Sequence, residues 1–438
     1  MESPIDRAFS LLFASEREAS LRWAAAIVKE DPLMATGLLV CGRLLGDLGR
    51  PEVGREACAV AVARAIDLEN LPLAVAAARE VERLGGAGDR LLDEIAAAFC
   101  KGSLRLGEGM PPPPPLPPAE SFQPLHAVLT GAALLNKATE IVHEANRSLM
   151  AETTRPGIAS LPLFSAIGQE GLRAMIGALT PEWIAEGKVV IEQGSEGTDA
   201  FFVARGEISI AVLADGERVI LGHVSNGAVL GEMALLSPSP RSTSAFATRP
   251  SIVLRADKKA LDDVADAYGE VGRELIVFAR DRLVTELVRA SELFVLAGEG
   301  GRAALMSRCK MRLAERGERL LSRGEAAPGI HVVASGQLRQ VGVDDATGES
   351  LVEGTLNAGD VAGEVSVVLR RPMDVDVIAI HPTVTLFLSA EDFRAVIEEE
   401  PRVLVALYKL AVRRDEENAT IQREDATVVD DSVLEGPV

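Results

Sequence analysis

Residues 230–244 read Leu-Gly-Glu-Met-Ala-Leu-Leu-Ser-Pro-Ser-Pro-Arg-Ser-Thr-Ser. Gly231 permits a close approach of the backbone to a ligand, which a side chain would block. The next residues, Met233 to Leu236, can form one helical turn whose free amide groups point at an anion. Arg241 then supplies a planar guanidinium group that stays charged. A glycine, a helical turn and an arginine in this order predict a loop that binds a phosphate group.

The same stretch also holds acceptors and donors for a sugar. Glu232 can accept a hydrogen bond from a ribose hydroxyl, and Ser242 and Thr243 add hydroxyl donors. A cyclic nucleotide presents both features, a ribose fused to a single anionic phosphodiester, and backbone amides with one cation and one acceptor can hold it. The alternative is an ion pair between Glu232 and Arg241 across a surface loop.

Short β-branched runs separated by glycine-bearing turns surround this stretch. Strands at intervals of roughly 8–12 residues predict an antiparallel barrel or jelly roll, and a helical pattern over about 257–291 closes the set. The predicted strands are Lys188–Glu192, Ala200–Ala204, Ile208–Leu213, Val219–Gly222, Ala245–Ala247 and Ile252–Leu254.

The whole set of signals recurs after roughly 130 residues, which indicates an internal repeat. Three pairs of short motifs align the two copies: Leu163-Phe164 with Leu293-Phe294, Phe202–Glu207 with Val332–Gln337, and Gly231-Glu232 with Gly363-Glu364. A helix is predicted near 390–414, after the second set of strands. That second set comprises Arg319–Ser322, Gly329–Ala334, Gln337–Val343, Ser350–Thr355, Val375–Ala379 and Val384–Leu388.

The pattern Gly-Glu-x-Ala-Leu-x(4)-Pro-Arg-Ser at 231–242 resembles the phosphate-binding cassette of the cyclic nucleotide-binding domain family, found in protein kinase A regulatory subunits and catabolite activator proteins. The resemblance covers 160–290 well and 291–412 more weakly, and it does not cover 1–159. It implies that Glu232 binds the ribose 2′-hydroxyl and that Arg241 binds the cyclic phosphate. It also implies main-chain or hydroxyl contacts from Gly231, Met233, Ala234 and Ser242. The segment 237–240 contains two prolines, which departs from the family pattern. The composition favours cyclic AMP over cyclic GMP as the ligand.

The second copy keeps the loop but not its charge. Glu364 aligns with Glu232, whereas Met373 stands where the first copy has Arg241, and Asp374 and Asp376 follow it. A thioether cannot neutralise a phosphate, and the two carboxylates would repel it. We therefore expect one nucleotide site per chain and a second barrel that is retained for packing.

Residues 1–105 show helical periodicity and no strand signal. Breaks at Asp31-Pro32, Gly49–Pro51 and Gly85-Gly86 divide the segment into helices. Their spacing suggests stacked helix pairs, as in an α-solenoid, although a plain helical bundle explains it nearly as well. The proline run at 111–118 predicts an extended polyproline II spacer. A helix follows at 125–152, whose apolar positions are Val128, Leu135, Ile141, Val142 and Leu149.

The composition excludes several classes of protein. A formal net charge of −20 argues against binding duplex DNA. Four scattered cysteines and five scattered histidines form no C-x-x-C pair and no metal-ligand spacing. No segment approaches the roughly 20 apolar residues of a membrane span, and the N-terminal apolar run is too short for a signal peptide. We expect a cytoplasmic protein with no cofactor and no metal.

These patterns predict an α+β multidomain chain, with an all-α helical-repeat-like domain followed by two antiparallel β-barrel or jelly-roll domains and their flanking helices. The function expected is a non-catalytic cyclic nucleotide sensor or adaptor. It would control an unidentified protein through the N-terminal helices or the proline-rich linker, and a homo-oligomer stays open. A scaffold with both barrels empty is the alternative. A kinase regulatory subunit is disfavoured because the linker lacks an Arg-Arg-x-Ser inhibitor stretch, and a transcription factor because no helix-turn-helix follows a barrel.

The expected boundaries are 1–105 (helical domain), 106–124 (linker), 125–159 (connecting helix), 160–290 (first barrel), 291–414 (second barrel) and 415–438 (acidic tail).

Overall fold

The computed structural model describes residues 2–109, 116–152, 155–214, 217–232, 239–343 and 350–413. It divides into two compact units, and each is described by itself below. The first unit comprises Met1–Leu235 with Thr243–Phe278, and the second comprises Leu236–Ser242 with Ala279–Val438. The expected fold class is confirmed, because a helical region precedes two domains that each contain two four-stranded antiparallel sheets.

Six helices form the N-terminal region, and each packs against the next along the chain. The first begins with a capping box, in which the Ser3 hydroxyl accepts from the Asp6 amide and the Asp6 carboxylate accepts from the Ser3 amide. The three predicted breaks all fall at helix boundaries, and Pro51 is the first residue of α4. The helices are α1 (Pro4–Phe13), α2 (Arg17–Glu30), α3 (Ala35–Asp47), α4 (Pro51–Asp67), α5 (Leu71–Arg83) and α6 (Gly88–Phe99).

The helix predicted at 125–152 begins later, as α7 (Gly131–Ala151). The Leu125 amide donates to the Arg22 carbonyl instead of joining a helical ladder, so the residues before Thr130 are held in another conformation. The prediction was therefore wrong for Val128, which precedes the helix and is exposed. The positions Ile141, Val142 and Leu149 are buried as predicted, and α7 packs against α2, α3 and α4.

The first barrel follows α8 (Gln169–Gly177) and a single 3-10 turn (Phe164–Ala166). Its two sheets have the strand orders β1-β10-β4-β7 and β2-β9-β5-β6. All six predicted strands are present, and the sequence missed β1, which carries a proline, and the two-residue strands. The strands are β1 (Thr180–Ile184), β2 (Val189–Ile191), β3 (Glu196–Gly197), β4 (Asp199–Arg205), β5 (Glu207–Ala214), β6 (Glu217–Ser225), β7 (Val229–Leu230), β8 (Ser239–Pro240), β9 (Ser244–Ala247) and β10 (Ser251–Asp257).

The single helix predicted over 257–291 is two helices, α9 (Lys258–Ala267) and α10 (Gly269–Ala290). Tyr268 leaves the helical conformation with φ −127° and ψ 81°, and Gly269 restarts the helix. Asp257 caps α9 by accepting a hydrogen bond from the Ala260 amide. The predicted continuous helix is therefore corrected to a pair with a break at Tyr268.

The second barrel repeats the strand order of the first, as β11-β18-β13-β16 and β12-β17-β14-β15, which confirms the internal repeat. The helix predicted near 390–414 is interrupted at Glu400, before a proline, and resumes over 401–413. The elements are α11 (Glu292–Arg308), β11 (Lys310–Ala314), β12 (Arg319–Leu321), β13 (Gly329–Ser335), β14 (Leu338–Val343), β15 (Ser350–Leu356), β16 (Val361–Ala362), α12 (Glu364–Leu369), β17 (Asp376–Ala379), β18 (Thr383–Ser389) and α13 (Ala390–Glu399).

One hydrophobic core joins the N-terminal helices to the first barrel. It runs without interruption from Ala8 in α1, through α2 to α8, to Phe202 in β4 and Leu275 in α10. Sharing a core of this kind makes the helical region part of the first unit rather than a separately packed module. No helix among the described residues is long and apolar enough to cross a membrane.

Candidate ligand site

The predicted cassette of the first barrel begins directly after β7. That strand pairs with β4, with Leu230 opposite Phe201 and Val229 opposite Phe202. Gly231 then adopts φ 68°, a left-handed conformation that glycine accommodates without strain. Glu232 is only 5% exposed. The structure thus places a glutamate in a buried position at the end of a barrel strand. The helical turn predicted over Met233 to Leu236 lies outside the described residues.

The remaining predicted site residues are distributed as follows. Met233 and Ala234 lie outside the described residues. Arg241 is half-buried and Ser242 is exposed, and both belong to the second unit, whereas Thr243 belongs to the first unit and directly precedes β9. The structure therefore places Gly231 and Glu232 directly after β7, and Arg241 directly after β8. A joint role for Glu232 and Arg241 stays a prediction.

The second barrel shows its cassette with the side chains in place. Gly363 has φ 86°, and a Cβ there would lie 2.6 Å from the Gly329 carbonyl oxygen, so only glycine fits. Glu364 begins α12 and is 2% exposed. The Ser366 hydroxyl accepts a hydrogen bond from the Ala327 amide at 3.0 Å and donates one to the Arg371 carbonyl at 2.5 Å. Ser366 thus links the cassette to Ala327, outside it, and to Arg371, within it.

Met373 lies inside the second barrel and does not face solvent. It is 8% exposed and belongs to the barrel's hydrophobic core. Its amide donates to the Glu325 carbonyl and its carbonyl accepts from the Gly324 amide, both at 2.8 Å. Asp376, which we expected to repel a phosphate, instead accepts a hydrogen bond from the Arg323 amide at 2.8 Å.

The cavity at the second cassette measures about 30 Å³, which is the space of about one water molecule. Ligand pockets of ordinary size measure roughly 300–1,000 Å³. Glu364, Met373 and Asp374 line this cavity, and none of its described lining residues is an arginine or a lysine. The cavity itself therefore offers neither volume nor positive charge to a nucleotide, although Arg370 and Arg371 lie in the same loop.

A buried ion cluster fixes α1 to the first barrel. The Asp6 carboxylate is 3% exposed and pairs with the guanidinium groups of Arg205, the last residue of β4, and Arg249. Burial alone would raise the pKa of Asp6, but Arg205, Ser3 and Arg249 together hold that pKa below its usual range. Arg205 is 6% exposed and also donates to the Pro250 carbonyl.

A stack of two aromatic rings between two guanidinium groups continues from this cluster. The Arg205 guanidinium lies 4.3 Å from the Phe9 ring centroid, Phe9 stacks on Trp183 at 5.3 Å, and the Arg43 guanidinium lies 4.6 Å from the Trp183 centroid. The stack joins α1 and α3 to β1 and β4. Sequence reasoning missed these residues, although one signal was present: the position of Arg205 holds Ser335 in the second copy, so the charge is specific to the first barrel.

The helices after the first barrel carry four large side chains as candidates to cover a nucleotide base: Tyr268, Leu275, Ile276 and Phe278. Leu275 is buried in the first unit's core, and Tyr268 and Phe278 pack against it, so ordinary packing accounts for all three. Ile276 is 49% exposed. Among the described residues, no group of histidine, cysteine, aspartate or glutamate side chains could hold a metal ion.

Comparison with known proteins confirms the resemblance. Residues 181–268 and 311–400 each match the family described as the cyclic nucleotide-binding domain. The chain is 26% identical over 217 residues to the cAMP-dependent protein kinase regulatory subunit of Yarrowia lipolytica, covering 50% of this chain and 54% of that protein. It is 28% identical over 154 residues to the acetyltransferase Pat of Mycolicibacterium smegmatis, covering 34% of this chain and 46% of that protein. The chain thus spans about half the length of these relatives.

Solved structures with partial similarity include the regulatory domain of Toxoplasma gondii PKA with cAMP, at 20% identity and a TM-score of 0.27, covering 57% of this chain and 92% of that one. The Thermus thermophilus catabolite activator protein is 29% identical with a TM-score of 0.28, covering 31% of this chain and 63% of that one.

Proposed function

Because this chain carries two tandem copies of the cyclic nucleotide-binding domain, we propose that it is a non-catalytic sensor in which one cyclic nucleotide binds the first barrel and controls a protein partner. The observation that carries the proposal is the complete cassette at 231–242, whose glutamate is buried at the end of β7. The regulatory subunit from Yarrowia lipolytica is named for its dependence on cAMP, which favours cyclic AMP as the ligand.

The roles proposed in the first barrel follow the chemistry of the ligand. Glu232 accepts a hydrogen bond from the ribose 2′-hydroxyl, and Arg241 neutralises the cyclic phosphate. Gly231, Met233 and Ala234 present backbone amides to the phosphate, and Ser242 and Thr243 add hydroxyl donors. No metal and no further cofactor takes part in this scheme.

We propose that the second barrel binds no nucleotide. The buried Met373, the small cavity and the exposed Asp374 support that assignment. Burying an arginine at 373 to restore the charge would place a guanidinium in the barrel core, which costs several kcal/mol. The barrel therefore serves to pack and to present α13 and the helix at 401–413.

The output of binding is carried by the helices that follow the first barrel. A ligand shifts a conformational equilibrium only by its differential affinity for the two states. Strand β7 connects the cassette to β4, and β4 ends at Arg205, which pairs with Asp6 of α1. Nucleotide binding at Glu232 would thus act on α1 as well as on α9 and α10, and the N-terminal helices would transmit the change to a cytoplasmic partner protein.

Calorimetric titration with cyclic AMP and cyclic GMP tests the binding step. We expect saturable binding to the wild type and a loss of about 100-fold in affinity for Arg241→Ala, since a bidentate charge-assisted contact is removed. Glu232→Gln should also weaken binding, because an amide is a poorer acceptor than a carboxylate. The matched control is Arg370→Ala, which removes an exposed arginine three residues before Met373 in the second cassette. Absence of binding to the wild type would leave a scaffold with two empty barrels.

Hydrogen exchange tests the output step separately. With saturating nucleotide, the amides of 257–291 should change their exchange rates, and those of α1 should change with them. If a bound nucleotide alters exchange only at the cassette, the chain binds the ligand but does not transmit the signal as proposed.

A further inference from the structure

A second cavity lies inside the first unit, away from the cassette. It measures about 240 Å³ and opens between the α1–α2 corner, α3 and β1. Leu12, Phe13 and Trp183 form its apolar surface, and Ser15, Arg17, Arg43 and Asp47 supply its polar groups. The volume is below the range of drug-sized pockets but sufficient for a small organic molecule.

The charges at this cavity do not cancel. Arg43 pairs with Glu80 at 3.0 Å, and Asp47 pairs with Arg83 at 2.9 Å, so both have partners within the protein. Arg17 forms no ion pair and no hydrogen bond with any residue of the described chain. One guanidinium group is therefore left over at the rim, and it favours an anionic group on the ligand.

Two further groups add donors to the cavity. The Trp183 ring makes stacking contacts with Phe9 and Arg43, and its indole N–H, which lies in the ring plane, has no hydrogen-bond partner in the described part of the chain. α2 begins at Arg17, and its N-cap Glu16 makes no side-chain hydrogen bond to the first turn. The Asp47 carboxylate in the lining is already paired with Arg83, so Arg17 and the Trp183 N–H remain as donors, which favours a ligand with an acceptor.

Free carbonyl groups at the C-terminal end of α1 would repel an anion, but these carbonyls already have hydrogen-bond partners. The carbonyls of Ser10, Leu11 and Leu12 already accept hydrogen bonds from the amides of Ala14, Glu16 and Ser15. Ser15 itself has φ 64°, which turns the chain sharply from α1 into α2 and brings the start of α2 to the cavity.

We propose that this cavity, which we call the seam cavity, binds a small organic carboxylate with a flat apolar body. The carboxylate pairs with Arg17 and accepts from the Trp183 N–H, and the apolar body packs on Leu12 and Phe13. Because the seam cavity adjoins the stack that holds α1 and α3 on the first barrel, its ligand would be an effector distinct from the cyclic nucleotide.

Benzoate, benzamide and benzylammonium form a matched set of probes, with similar shape and charges of −1, 0 and +1. The chain contains two tryptophans, so a Trp23→Phe variant of the full-length protein leaves Trp183 as the fluorescent reporter. We expect saturable quenching by benzoate, weaker binding of benzamide by about tenfold, and none by benzylammonium. Arg17→Ala should weaken benzoate binding by about tenfold, the loss of one charge-assisted hydrogen bond.

Two control variants keep the test specific. Arg17→Lys retains the charge and should retain most of the benzoate affinity, whereas Arg90→Ala removes an exposed arginine on α6 that does not line the cavity and should change nothing. No saturable response to benzoate would overturn the proposal. So would equal affinity for all three probes, or an affinity that Arg17→Ala leaves unchanged. None of these results depends on cyclic nucleotide binding.

Discussion

Replacing Asp6 by alanine should destabilise the first unit more than any surface substitution. Asp6 is the carboxylate partner of Arg205 in a nearly solvent-free position, and it also closes the capping box of α1. In the Asp6→Ala variant, Arg205 keeps the Pro250 carbonyl and the Phe9 ring but loses its counter-ion. A buried guanidinium would then remain without a compensating charge.

The size of the effect follows from the loss of the counter-ion. Removing one partner of a buried ion pair costs about 3–5 kcal/mol, and the Ser3 hydroxyl still caps α1 through the backbone amide of residue 6. We expect a loss of about 4 kcal/mol in the free energy of unfolding. With an m-value near 3 kcal/mol per molar urea for a unit of this size, the midpoint should fall by about 1.3 M.

Intrinsic tryptophan fluorescence measures this unit selectively, since Trp23 and Trp183 both lie within Met1–Leu235. Urea titrations of the wild type, Asp6→Ala, and the double variant Asp6→Ala/Arg205→Met give the comparison. The double variant should be more stable than Asp6→Ala, because it removes the uncompensated charge. A midpoint shift below about 0.3 M for Asp6→Ala, or a double variant no more stable than the single one, would refute the reasoning.

Three further predictions concern single buried groups. Burial lowers the pKa of His331 to about 4, so the unfolded chain binds a proton near pH 6.5 that the folded second barrel excludes. The free energy of unfolding should therefore fall by about 2 kcal/mol between pH 7 and 5. A His331→Leu variant should lose this pH dependence in thermal melts. Gly363→Ala should cost about 2 kcal/mol more than Gly317→Ala in thermal unfolding, since both glycines have φ 86° but only at Gly363 would the Cβ meet a carbonyl oxygen. Asp67→Ala should destabilise the first unit by about 2 kcal/mol in urea titrations, because this buried carboxylate pairs with three arginines, Arg64, Arg105 and Arg155.

Six strands of each barrel could be predicted because short apolar runs there are bounded by turn residues. The failures have local causes. β1 reads Thr-Pro-Glu-Trp-Ile, and the proline argues against a strand although it sits on a sheet edge here. β7 has two residues, too few for a period to show. Nothing in the pattern around Tyr268 distinguished one long helix from two, because both sides have helical periodicity.

The attachment of the N-terminal helices to the first barrel could not be read from the sequence. It depends on pairs such as Asp6 with Arg205, which are separated by 199 residues, and a single sequence contains no signal for a contact of that range. The cassette could be proposed from the sequence for the opposite reason, since its motif lies within twelve consecutive residues. The chemistry of Met373 was also visible in the alignment of the two copies, but its burial in the barrel core was not.

The number of cyclic nucleotides bound per chain tests the central claim most directly. Equilibrium dialysis of the full-length protein against labelled cyclic AMP should give one nucleotide per chain, and the Arg241→Ala variant should give none over the same concentration range. Two nucleotides per chain would contradict the account, since the second barrel would then be a working site. One nucleotide that persists in Arg241→Ala would contradict it equally, because the site would lie outside the first cassette.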